Sequence, residues 1–218
     1  MILRGPRRIV NYFPEIAVPF LSKLEANVVI LGAANVGKSA LTVRFLTRRF
    51  IGEYGDIESI YSYNGTVAGS KVSFNIWDSC YEQDLNQNFV KEKQIQWANG
   101  FVLVYSICDR ASFNIVQQQI QVIKSMKHYP GIDPAPIIIV GNKRDLCHQR
   151  MVSSQEGRLL ALATECQFCE ISVAETYHGV LLVFHSLVER IKESKIPVRK
   201  ITGIKSILRN VSSVFTHI

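Results

Sequence analysis

The sequence has no apolar run approaching the roughly 20 residues that a membrane-spanning helix requires, so no span is expected. It has no internal repeat and no low-complexity tract, which excludes a repeat array. Its five cysteines, Cys80, Cys108, Cys147, Cys166 and Cys169, are an odd set without the spacing of a disulfide framework. That argues for a reducing compartment, cytosol or nucleus. Cys166 and Cys169 form one C-x-x-C, but no second pair of ligands follows, so buried thiols are expected rather than zinc or redox chemistry.

What is present is the makeup of an ordinary globular protein: 218 residues, 47% hydrophobic and 20% charged, enough for one α/β domain and tails. The formal charge of +7 is unevenly placed. Residues 1–26 carry four basic and two acidic side chains, residues 27–194 carry 16 of each, and residues 195–218 carry five basic and no acidic ones. A neutral domain with a cationic end suits contact with an anionic surface better than specific binding of nucleic acid. Arg4, Arg7 and Arg8 ahead of Ile16 to Leu21 have a trace of a targeting sequence, but Pro14, Glu15 and Pro19 spoil an amphipathic helix, so a poorly ordered extension is expected.

Asn27 to Leu31 is a short apolar run stopped by Gly32, and Lys38 to Arg48 then places Leu41, Phe45 and Leu46 at helical spacing. Lys71 to Trp77 alternates like a strand, while Phe101 to Ile107 and Ile137 to Val140 read as strands buried on both faces. Helices are predicted at about Asn86 to Trp97, at Ser112 to His128 with Ser112 as N-cap, at Ser153 to Glu165 with Ser153 and Glu156 as a capping box, and at Tyr177 to Lys192. Alternating strands and helices imply an α/β fold whose mostly parallel sheet is covered on both faces, with its ligand site at the carboxyl ends of the strands.

Gly32-Ala33-Ala34-Asn35-Val36-Gly37-Lys38-Ser39 satisfies G-x-x-x-x-G-K-S and stands between a predicted strand and a predicted helix. In that context glycines let the loop wrap closely, backbone N–H groups and the helix start point at phosphate, Lys38 reaches the β- and γ-phosphates, and Ser39 offers its hydroxyl to Mg²⁺. Asp78 closes the strand ending Ile76-Trp77, where a carboxylate can hold Mg²⁺ through water. Asn142-Lys143-Arg144-Asp145 emerges from the strand ending in Val140-Gly141. An aspartate there can accept from the N1–H and the exocyclic amine of guanine, a donor pair that adenine lacks, and the lysine stem can lie along the base.

These three segments, in this order, resemble the Ras-like small GTPases from about Asn27 to Lys192. The runs from Lys38 to Leu46 and from Trp97 to Tyr105 look most like the Ras-related oestrogen-regulated growth-inhibitor branch and its unlipidated relatives. The resemblance implies a P-loop G domain at residues 27–194, with a six-stranded, mostly parallel sheet, GTP or GDP and Mg²⁺ as ligands, and effector and regulator proteins as partners of a monomer. It extends the phosphate loop to Ala40, matches Phe50 to the aromatic packed edge-on against the base, and matches Glu170-Ile171-Ser172-Val173-Ala174 to the last guanine loop, where the Val173 N–H would meet guanine O6. The family usually has Ala then Lys where this chain has Val173 and Ala174.

The switch segments depart from the family. Glu53 to Ser59 is one residue short and lacks the threonine that coordinates Mg²⁺, Asp56 being the nearest replacement. A carboxylate there would repel γ-phosphate oxygens by about a kcal/mol or more at ~4 Å. In the second switch Tyr81 replaces a glycine and Glu82 replaces the glutamine that orients the attacking water. The resemblance therefore allows a slow GTPase switch or a module that holds nucleotide with little turnover, and the altered positions favour the second. The terminus, Phe215-Thr216-His217-Ile218, has no cysteine for a prenyl group, so the basic tail at residues 195–218 offers weak contact with an anionic membrane and no anchor.

Overall fold

Strands buried on both faces need helices on both sides, and the arrangement that results can be followed residue by residue along the central strands. The computed structural model describes residues 24–55, 57–67, 69–81, 90–126 and 135–195. In chain order the elements are β1 (Leu24–Leu31), α1 (Lys38–Thr47), β2 (Ser59–Val67), β3 (Ser70–Asp78), α2 (Glu92–Trp97), β4 (Gly100–Ser106), α3 (Arg110–Ser125), β5 (Ile137–Asn142), a 3₁₀ segment (Arg144–Gln149), α4 (Ser154–Ala163), β6 (Gln167–Glu170) and α5 (Tyr177–Lys195). The six strands lie in the order β2-β3-β1-β4-β5-β6. Only the β2–β3 pair is antiparallel.

Successive side chains of a strand point to opposite faces, so each central strand feeds two cores. Val102 and Val104 of β4 join Val28, Ile30, Phe74, Ile76 and Val140 beneath α1 and α5, where Phe45 stacks on Phe184 with ring centroids 3.9 Å apart. Phe101, Leu103 and Tyr105 join Val29, Leu31 and Ile139 against Phe113, Val116 and Ile120 of α3 and Ala161 of α4. The parallel register brings Leu31, Asp78, Ser106, Asn142 and Glu170 to one edge of the sheet, the carboxyl end.

The predicted strands and helices are all present, with shifted bounds. Ser112 is not the N-cap of α3: Asp109 is, its side chain accepting from the Ala111 N–H at 2.9 Å. A carboxylate three residues earlier reaches the orphan N–H groups that Ser112 cannot, and the Ser112 hydroxyl is buried, donating to the Asp109 carbonyl. Residues 127 and 128, and residues 86–89 ahead of α2, lie outside the described residues. α2 begins only at Glu92, since Lys91 is extended. Ser153 and Glu156 form the expected reciprocal cap of α4. β2 and β6, not identified individually from the pattern, complete the sheet at its two edges.

Candidate functional site

The turn from β1 into α1 is shaped by two glycines in conformations that L-residues rarely adopt. Gly32 has φ 142° and Gly37 φ 97°. A Cβ on Gly32 would stand 2.1 Å from the Val104 carbonyl oxygen, and one on Gly37 would stand 2.4 Å from Asn142 Nδ2. The loop is thus pressed against β4 on one side and β5 on the other. Lys38, only 5% exposed, curls back over the loop and donates from Nζ to the Ala33 carbonyl at 2.8 Å. Ala34 and Asn35 at the crest are exposed, and Asn35 takes a left-handed conformation at φ 59°.

Asn142 ties three segments together. Its Nδ2 donates to the Val36 carbonyl at 2.8 Å, and its Oδ1 accepts from the Val173 N–H at 3.1 Å. The phosphate loop, the end of β5 and the loop before α5 therefore share one buried side chain. The Val173 N–H, which the resemblance assigns to guanine O6, has an internal acceptor in this structure, and Ala174 beside it faces the cavity. Ser172 is buried and accepts from the Glu175 N–H, closing the turn before α5.

Between these segments lies a cavity of about 520 Å³, within the range of small-molecule sites. Asn35, Gly37, Lys38, Ser39 and Ala40 line it on one side, Phe50 and Gly52 to Gly55 on another, and Asn142, Lys143, Asp145, Leu146, Val173 and Ala174 at the far end. Phe50 is 44% exposed and lines the cavity, an aromatic ring within reach of a flat ligand. Lys143 is held left-handed at φ 65°, and the Arg144 N–H bonds the Ile171 carbonyl, so the 3₁₀ segment carrying Asp145 is anchored to the last loop. Gly32, Ala33, Ala34, Val36 and Ser172 support the cavity without lining it.

Asp78 is 3% exposed at the carboxyl end of β3, level with Ile30 of β1 and so next to the start of the phosphate loop. Ser79 donates through both its N–H and its hydroxyl to the Ile30 carbonyl. Ser39 is half-buried in the first turn of α1. Tyr81 is half-buried just beyond β3 and does not line the cavity, while Asp56 and Glu82 lie outside the described residues.

Two residues that the sequence reading did not single out organise the surroundings. Arg44, one helical turn beyond Ala40, donates to the Ala174 carbonyl at 3.4 Å and the Glu175 carbonyl at 3.1 Å. Glu58, just ahead of β2, accepts from Trp77 Nε1 at 2.7 Å, Lys91 Nζ at 3.3 Å and Gln94 Nε2 at 3.5 Å, joining the first switch to β3 and α2. Helical spacing from Ala40 was a signal for the first; no local signal existed for the second, whose partners are 19 to 36 residues away.

Elsewhere, burial pushes the Cys169 thiol up to about 12, so it stays protonated at neutral pH. Among the described residues no group of three or more His, Cys, Asp or Glu could hold a metal, and no helix is long and apolar enough to cross a membrane.

The Ras family model matches residues 27–193. The chain is 38% identical over 200 residues to the Ras-related and estrogen-regulated growth inhibitor-like protein of Bos taurus, covering 88% of this chain and 96% of that protein. It is 38% identical over 172 residues to the Ras-related and estrogen-regulated growth inhibitor of Homo sapiens, covering 78% and 83%. It is 40% identical over 186 residues to the Ras-like protein family member 11A of Rattus norvegicus, covering 83% and 76%.

Proposed function

The chain belongs to the Ras family of small GTPases, and on that premise we propose that it is a signalling protein that binds GTP or GDP with Mg²⁺ in this cavity and turns GTP over more slowly than an unassisted Ras-type domain. The observation that carries the binding half is the cavity itself, walled by Lys38, Phe50 and Asp145 and braced by Asn142. The two glycines whose Cβ atoms would collide with Val104 and Asn142 let the loop lie close against β4 and β5, in the strand-to-helix turn where phosphates are cradled in this fold. Ser39 and Asp78 would hold Mg²⁺, which neutralises phosphate charge when bound. Asp145 would accept from the guanine edge, and Phe50 and the Lys143 stem would cover the ring.

The slow-turnover half rests on the switch residues. A carboxylate at Glu82 accepts hydrogen bonds but cannot donate one, whereas the family's glutamine amide does both toward a water and a phosphate. Tyr81 brings a bulky ring and a restricted backbone to a position where the family has glycine. The alternative is an active switch cycling between GDP and GTP states, favoured by the complete phosphate cradle. The expected partners are effector or regulator proteins met as a monomer in cytosol or nucleus. Residues 195–218, with five basic side chains, support weak contact with anionic lipid.

The test is the nucleotide retained by the purified full chain and its equilibrium binding of GDP against ADP. Retained guanine nucleotide and a preference of about a hundredfold or more for GDP are expected, because the loss of a designed hydrogen-bond pair costs at least that much. Equal binding of ADP, or none of either, would remove the proposal.

A further inference from the structure

The base end of the cavity differs from the family pattern by the loss of a lysine at Ala174, and a different cation stands behind that loop. Arg44 lies on α1 one turn beyond Ala40, on the same face of the helix, and Ala40 lines the cavity. From there the guanidinium donates through Nη1 to the Ala174 carbonyl at 3.4 Å and through Nη2 to the Glu175 carbonyl at 3.1 Å. The same group stands 5.9 Å from the centroid of the Phe50 ring, within the range of a cation–π contact. Phe50 and Ala174 both line the cavity and come from segments more than 120 residues apart in the chain. Arg44 thus contacts both walls, one through the Phe50 ring and the other through two successive carbonyls.

We infer that Arg44 is the positioning residue of the base end: its guanidinium spans the Phe50 ring and the carbonyls of Ala174 and Glu175, and so sets the distance between the two walls that grip a guanine ring. This inference rests on the nucleotide-binding reading above and adds to it a residue outside the phosphate and base motifs. A planar fork with several donors can hold two successive carbonyls and an aromatic face together, which an ammonium on a flexible stem cannot do. Arg44 does not itself line the cavity, so it acts on the base through the two walls it holds, Phe50 and the loop of Ala174.

The test is the dissociation rate of a fluorescent GDP analogue from the full chain, chased with excess GDP, for the unmodified protein, Arg44→Met and Arg44→Lys, each in Mg²⁺ and in EDTA. Arg44→Met is expected to release nucleotide about tenfold faster, the effect of losing a charge-assisted hydrogen bond, with Arg44→Lys in between. The same factor should appear with and without Mg²⁺, and the thermal midpoint of the nucleotide-free protein should move by no more than a few degrees. An unchanged rate, a factor that vanishes in EDTA, or loss of folding in both variants would overturn the assignment. If the unmodified protein binds no guanine nucleotide, the nucleotide-binding reading falls with it; if it binds and the variants release at the same rate, the assignment of Arg44 alone falls.

Discussion

Asn142 uses both ends of its side-chain amide inside the protein, on Val36 and Val173, so it acts as the brace that keeps the phosphate loop and the last loop at a fixed separation. On the proposed function, recognition of the base then falls to its neighbours in the same segment, with Asp145 standing at the cavity and carrying acceptors only. Replacing Asp145 by Asn changes an acceptor into a donor, and xanthine carries an acceptor where guanine carries its amine. Asp145→Asn is therefore expected to favour XDP over GDP by about tenfold or more in a competition assay. Persistent preference for GDP would separate Asp145 from base reading. The motif residues were legible because each has a local pattern: glycine spacing, a lysine after the second glycine, an aspartate three residues after an asparagine at the end of an apolar strand. Arg44 and Glu58 were not, because their roles are contacts made across the fold.

At the scale of elements, β1, β4 and β5 were readable because strands covered on both faces become continuous apolar runs. β2 escaped because it is an edge strand whose Ile60 and Tyr61 face outward, so that apolar and polar residues do not divide between two faces. β6 escaped because four half-buried residues are too few to show a period. The cap of α4 was legible as Ser153 and Glu156, and its acid sensitivity follows. Hydrogen bonding to Arg110 first, and to Ser153 next, holds the Glu156 carboxyl down at about 2 from its ordinary 4.5. A folded-state value below the unfolded one means stability that is present above about pH 4.5 and lost as the pH falls toward 2. The thermal midpoint of Glu156→Gln should therefore depend less on pH across that window than that of the unmodified protein. Parallel curves in the two proteins would show that this carboxylate adds nothing there.

The Glu58 clasp belongs to the same scale. One carboxylate receives an indole N–H, an ammonium and an amide from β3 and the region of α2, with the Cys80 thiol 3.9 Å away, and so on the proposed function it couples the first switch to the second. The Glu58–Lys91 pair is about a third exposed on each side, which limits what it contributes. Glu58→Ala is expected to raise amide hydrogen exchange several-fold in residues 57–62 and at Trp77 to Tyr81, with little change in β4 or β5. Uniform acceleration throughout the sheet would make Glu58 a general stabiliser rather than a link between switches.

At the scale of the whole molecule, the fold presents a cavity lined by the phosphate-loop and base-loop segments, while the sequence of the switch segments departs from the family; on the proposed function these two properties divide binding from turnover. The sheet, its two cores and the Asn142 brace serve the first. Glu82, Tyr81 and the shortened segment around Asp56 bear on the second. Hydrolysis needs a positioned water and a loop free to close, and neither can be supplied by the rigid part of the molecule. The paired change Tyr81→Gly with Glu82→Gln should raise the rate in part, because the threonine absent from the first switch is not restored. The most direct measurement is single-turnover hydrolysis of GTP by the full chain under conditions where GTP binding is shown to be saturated. The account predicts a rate below roughly 10⁻⁴ s⁻¹, slower than an unassisted Ras-type domain. Saturated binding with hydrolysis at or above that rate would contradict it and make the protein an ordinary switch.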